Sequence, residues 1–200
     1  GALPVVENPW QNFPFGAEMG RMMLASNALV LIGVGVLVAA WLAMAPFVGA
    51  SPGAARGARV SNPEMLRTFI AWVLPLIATA PLFTQDIYSY LANGSIVRQG
   101  LDPYSSGPVE LLGVEHHLAR SVPFIWAHSP SPYGPVALGT AAVISHITGD
   151  SIFWGVLAHR AVSVAGILAA AWAVLALAKR CGVTGPALSL IHISEPTRPY

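Results

Sequence analysis

The chain has 200 residues, 54% of them hydrophobic and 10% charged, well below the roughly 25% charge of a soluble domain. A formal net charge of +1 without any Lys/Arg tract gives no footing for a nucleic-acid partner. A single cysteine, Cys181, excludes an internal disulfide framework.

In chain order, the opening GALPVV has no basic stretch of a cleavable signal peptide and reads as the exit from an earlier segment. Residues 23–49, MLASNALVLIGVGVLVAAWLAMAPFVG, carry no charge and exceed the roughly 20 apolar residues a bilayer core requires. Trp41 and Phe47 suit the far interface of such a span. The next stretch, ASPGAARGARVSNPEMLR, sets Arg56, Arg59 and Arg67 against Glu64, a cation excess that marks a cytoplasmic loop. A second, short span is expected over 66–83, with Pro75 and Pro81 tolerated inside a helix bundle. The third is expected over 153–178, closed by Lys179 and Arg180.

Residues 85–152 then form one large outer loop, in which Asp86, Asp102, Glu110, Glu115 and Asp150 outnumber Arg98 and Arg120. Within it PVALGTAAVISHIT, 135–148, is apolar but too short to cross, so it is expected along the interface. The fold expected is all-α and multispanning: three transmembrane helices, outside–in–out–in, and an outer loop with interfacial helices. The last run, LSLIHISEPTRPY over 188–200, resembles translated adapter sequence from DNA library preparation. The natural chain is therefore expected to end near Ala187, leaving His192, Glu195 and Arg198 without function.

The outer loop begins with TQDIYSYLANGSIVRQGLDPY. A helix started at Asp86 brings Asp86, Ser89, Tyr90 and Asn93 to one side. Lying on a membrane surface, it would turn that stripe to water or to a cavity. Pro103 ends the pattern; a second short helix is expected over 109–120, and the turn-rich WAHSPSPYGP over 126–135 completes the loop. Asp86 fits either of two roles, a helix cap or a reacting carboxylate. Tyr88, Tyr90, Tyr104, Tyr133 and Trp126 suit interface anchors, and Asp102 reads as a turn residue. His116, His117, His128, His146 and His159 show no HxxxH or other metal spacing, so no metal site is expected. Arg160 lies a turn or two inside the third span, where a cation needs a partner. That partner is either a loop carboxylate or the phosphate of a lipid-linked substrate.

TQDIYSYLANGSIVRQGLDPY, SPYGPVALGTAAVISHITGD and AHRAVSVAGILAAAWAVLALAKR together resemble the polyprenol-phosphate-mannose-dependent α-1,6-mannosyltransferases of mycolic-acid-bearing bacteria. These belong to the glycosyltransferase C superfamily. GALPVVENPWQNFPFG fits the region ahead of the second membrane span in that family. The likeness covers residues 1–187 and implies the N-terminal part of a membrane glycosyltransferase domain at the outer face of the plasma membrane. It implies an inverting transfer of mannose from polyprenyl phosphate mannose to a lipid-anchored mannan, without a cofactor. Asp86 would be the catalytic base. Arg98, Arg120 and Arg160 become candidate phosphate contacts, and Tyr88, Asn93, Tyr104 and Tyr133 candidate sugar or acceptor contacts. Two alternatives stay open: the same fold with another polyprenyl-phosphate sugar, or a non-catalytic transporter or scaffold of the membrane.

Overall fold

The structure, a computed structural model, describes residues 6, 8–47 and 60–181. The expected tail at 188–200 lies outside the described residues, as does most of the loop with Arg56 and Arg59. Among the described residues every regular element is helical. A 3-10 turn, Pro9–Asn12, precedes α1 (Gly16–Arg21), α2 (Met23–Met44) and α3 (Asn62–Ala78). Then come α4 (Asp86–Arg98), α5 (Pro108–Leu112), α6 (His117–Ser121), α7 (Phe124–Ala127), α8 (Pro135–Thr148) and α9 (Ile152–Arg180). The chain divides into two compact units, one of Gly1–Val30 with Ile77–Ala161, the other of Leu31–Leu76 with Val162–Tyr200.

In the second unit the long helices keep their apolar side chains exposed, Leu31, Trp172 and Leu177 among them. Two helices, α2 and α9, are long and apolar enough to cross a bilayer. Three spans were expected, and the middle one differs. α3 begins early because Glu64 reaches back over the first turn: its carboxylate accepts from the Ser61 N–H (2.8 Å) and hydroxyl (2.7 Å). It stops at Ala78 rather than at Phe83, because Pro81 has no N–H to give the Ile77 carbonyl one turn back. Its 17 residues reach only about 26 Å.

The first unit is built around α4. Tyr88, Leu91 and Ala92 of α4 form a core with Trp10, Leu118, Val122, Ala127, Ile152 and Val156. On another side Gly94 lies so close to α8 that a Cβ there would run into the Ala141 carbonyl. Gly155 of α9 similarly leaves room for Leu91. The surface-lying amphipathic helix expected here is thus a central buried one; Ser89 and Asn93, on the expected polar stripe, are only 3% and 4% exposed. The expected helix over 109–120 is split into α5 and α6, because Gly113 takes φ 92 between them.

α8 has the expected bounds and rests Leu138, Ala141, Ile144 and Ser145 on the unit while Val136, Val143 and Ile147 face outward. Its corner with α9 requires two consecutive left-handed residues, Gly149 (φ 58) and Asp150 (φ 62). A side-chain lock holds that corner. The Asp150 carboxylate accepts from the Ser95 hydroxyl (2.8 Å), the Ser145 hydroxyl and the Arg98 guanidinium, while His117 Nε2 donates to the Asp150 carbonyl (2.9 Å). Burial alone would raise the Asp150 pKa, but the hydrogen bonds from Ser145, Ser95 and Arg98 outweigh it and hold it below the usual carboxylate range.

Because its folded-state pKa is depressed, Asp150 contributes stability that is full above the unfolded carboxylate pKa and is lost on further acidification. Asp150→Asn tolerates the left-handed backbone but removes the anion, and should cost about 1–3 kcal/mol at neutral pH. In detergent melts the gap between wild type and variant should close as pH falls below about 4. A gap that stays constant through that range would rule out the ionic lock.

Candidate active site

Asp86 is the first residue of α4, one position inside the cap residue Gln85, and its own N–H donates to Thr84 Oγ1 (3.2 Å). Its partly exposed carboxylate has no hydrogen bond or ion pair among the described residues. The positive end of α4 stabilises the anion there without a capping bond. One helical turn on, Tyr90 meets Tyr133 edge to face, with ring centroids 4.7 Å apart. Tyr133 is near enough for the Asp86 charge to act on it. Its hydroxyl is pushed up to about 12 by burial first, then by Tyr90 and Asp86, and so stays a neutral donor at ordinary pH.

Tyr104 reaches the same place from the Asp102–Pro103 turn, its hydroxyl donating to the Tyr133 carbonyl (2.8 Å). Asp102 makes that turn by accepting from the Tyr104 N–H (2.9 Å), the turn role read from its sequence context. On the other side of Tyr90 the His159 ring lies nearly parallel, at 6.1 Å and 20°. His159 Nδ1–H donates to the Gly155 carbonyl (2.9 Å), so in the neutral ring Nε2 is the acceptor nitrogen. Tyr90, Tyr104, Tyr133 and His159 thus form one connected group, with the Asp86 charge acting on Tyr133. Tyr90 and His159 were not among the candidates. The i, i+4 spacing from Asp86 signalled Tyr90; nothing local signalled His159, whose neighbour Tyr90 is far away in sequence.

The three candidate arginines occupy different settings. Arg160 sits one residue after His159, and its Nη1 donates to the Ile77 carbonyl (2.6 Å) and to the Thr79 carbonyl. Among the described residues its partner is the C-terminus of α3 and not a loop carboxylate. Its charge also acts on Tyr88. Nε and Nη2 have no hydrogen-bond partner among the described residues. Arg98 is the last residue of α4, about 18 Å along the helix from Asp86, and is engaged with Asp150 and Ser145 (2.9 Å). Arg120 is exposed on α6, with no side-chain bond to the Asp86 group among the described residues.

Tyr88 and Asn93 are not at the surface of this group. Tyr88 is fully enclosed in the core, where burial raises its hydroxyl pKa and the Arg160 charge offsets part of the rise. Asn93 is buried, with Nδ2–H donating to the Ser89 carbonyl (2.8 Å). Glu110 and His128 pair at 2.6 Å on the exposed side of the α5–α7 region, and this bond to His128 is the main reason the Glu110 carboxyl is held low. Among the described residues no three His, Cys, Asp or Glu side chains gather to hold a metal.

Comparison with known proteins matches residues 1–197 to the family described as Alpha-(1->6)-mannopyranosyltransferase, N-terminal domain. The chain is 59% identical over 198 residues to Alpha-(1->6)-mannopyranosyltransferase B of Corynebacterium glutamicum, covering 98% of this chain and 33% of that one. It is 35% identical over 187 residues to a probable alpha-(1->6)-mannopyranosyltransferase of Mycolicibacterium smegmatis, covering 92% and 32%. An alpha-(1->6)-mannopyranosyltransferase of Mycobacterium tuberculosis is 38% identical over 187 residues, covering 92% and 30%. The chain spans about a third of the length of these relatives. No solved structure matches it. The family match, running nearly end to end, identifies the chain as a member of the alpha-(1->6)-mannopyranosyltransferase family.

Proposed function

We propose that these residues form the N-terminal part of a membrane mannosyltransferase working at the outer face of the plasma membrane. It takes mannose from polyprenyl phosphate mannose and adds it, in α-1,6 linkage and with inversion, to a lipid-anchored mannan. One observation carries this reading: Asp86 offers an unpartnered carboxylate on a rigid helix end, one helical turn from the Tyr90–Tyr133 ring pair. The names of the relatives supply the sugar.

The chemistry is a displacement at the anomeric carbon. Asp86 takes the proton from an acceptor hydroxyl as that oxygen forms its bond to the carbon. The bond from carbon to phosphate oxygen breaks on the opposite face, and the phosphate leaves with the electron pair. Phosphate is a good leaving group and requires no strong acid, but its charge needs compensation, which Arg160 offers. Arg98 has no such part in this reading, because its charge is taken up by Asp150 at the far end of α4. Tyr104, Tyr133 and Tyr90 would face the sugar or acceptor with flat apolar rings and neutral hydroxyls.

The same reading has α2, α3 and α9 cross the bilayer, with α3 spanning a short path and α8 along the outer interface. The cations Arg56 and Arg59 between α2 and α3, and Lys179 and Arg180 after α9, favour the inside for those ends.

In the full-length enzyme Asp86→Asn should lower mannosyl transfer by roughly 10²–10⁴-fold, the usual contribution of a general base. Stability should fall only by the roughly 0.3–1 kcal/mol of a charge at a helix end, since the carboxylate has no internal bond to lose. Near-normal transfer by this variant would remove Asp86 as the base. Topology has its own test in intact cells with a membrane-impermeant maleimide. Glu115→Cys, made in a Cys181→Ser background, should react from outside, whereas native Cys181 should react only after permeabilisation. Labelling of Cys181 from outside would reverse the orientation of α9.

A further inference from the structure

We infer that Trp10 is a positioning residue for Arg160, and that Trp10 and the C-terminus of α3 together aim the arginine at the donor phosphate. This rests on the function proposed above and extends it to a segment, Pro9–Asn12, that has no chemistry of its own.

The geometry begins with a termination problem. At the end of a helix the last carbonyls have no intrahelical donor. Here Ile77, Ala78 and Thr79 are consecutive, and all three carbonyls are answered from elsewhere in the chain. Arg160 Nη1 takes Ile77 (2.6 Å) and Thr79, and Trp10 Nε1–H takes Ala78 between them (3.1 Å). Nη1 has two hydrogens, so both are spent. The guanidinium is planar; fixing one nitrogen at two points fixes the direction of the Nε–Nη2 edge, with its two parallel N–H groups. That edge is a fork suited to a phosphate.

Trp10 matters because it occupies the middle acceptor. With Ala78 unanswered, Nη1 would gain a third carbonyl to visit, and the fork would swing with it. The indole itself has little freedom: it is buried and packs on Phe153 with ring centroids 5.2 Å apart at 58°. The negative end of α3 also favours a cation at this partly buried place, so the arginine is held there while its other edge stays available.

The test uses the full-length enzyme, with the KM for polyprenyl phosphate mannose and the inhibition constant of polyprenyl phosphate as readouts. Trp10→Phe keeps the aromatic packing on Phe153 and removes only the N–H. It should raise both constants about 2- to 10-fold, the scale of one hydrogen bond, and lower kcat by no more than a similar factor, while the pH profile set by Asp86 stays in place. Arg160→Gln should raise them about 10- to 100-fold. Arg160→Lys should come close to Gln, because a single ammonium cannot straddle two carbonyls and also grip a phosphate. A Trp10→Phe enzyme that melts earlier but keeps both constants would reduce Trp10 to a structural role and overturn the inference. Wild-type constants for Arg160→Lys would do the same if the Phe variant fails to fold. Unchanged constants for Arg160→Gln would instead remove Arg160 from the phosphate, leaving the Asp86 assignment to its own test.

Discussion

A carbonyl oxygen left bare in an apolar setting costs on the order of 1–3 kcal/mol, and Pro81 makes such a cost unavoidable at the end of α3. Had the helix continued, the N–H of residue 81 would have met Ile77; proline has none to give. The chain has to stop there, turn through 79–85 and begin again at Asp86. Donors for the exposed carbonyls come from Trp10 and Arg160, 68 and 83 residues away along the chain from Ala78 and Ile77 respectively. One termination thereby ties the N-terminal segment, the end of α3 and the start of α9 together. It also brings the Arg160 cation to the neighbourhood of Tyr88.

α4 carries the other half of the arrangement. Burial on every side makes it a stiff rod, and the close Gly94–Ala141 contact sets its distance from α8. Its two ends then do different work. At the C-terminal end Arg98 and Ser95 meet Asp150 and hold the left-handed corner that returns the chain into α9. At the N-terminal end Asp86 is supported by the helix dipole and by nothing else among the described residues. In the proposed function, a carboxylate so held and without an internal partner is the one that takes the substrate proton.

The long apolar helices were legible in the sequence because length and absence of charge are sufficient signals. α8 was legible as well: proline opens it and glycine closes it, at the bounds read from its apolar run. α3 was misjudged at both ends. The Ser61–Glu64 pair was present in the sequence, but hydropathy alone starts the span where the charges stop, at residue 66. At the other end, reading Pro81 as a tolerated kink hid the break it makes. For α4 the error had a different source. A polar stripe marks a wet face only if the helix lies at a surface, and the packing of α6, α8 and α9 around it comes from residues far along the chain. That is why Asn93, on the stripe, is buried, and why Tyr88, a candidate through the resemblance alone, is enclosed in the core, while His159 was passed over. Arg160 was recognised as a cation in need of a partner, yet backbone carbonyls carry no sequence signature.

The most direct measurement is a structure of the full-length protein with a phosphonate analogue of polyprenyl phosphate mannose and an acceptor glycan bound. The phosphonate oxygens should lie within hydrogen-bonding reach, about 2.7–2.9 Å, of Arg160 Nε and Nη2. The acceptor hydroxyl should lie about 2.6–3.2 Å from the Asp86 carboxylate, across the anomeric carbon from the phosphonate. A phosphonate seated on Arg98, about 18 Å away along α4, with Asp86 remote from both ligands, would contradict the assignment of this end of the helix as the active site.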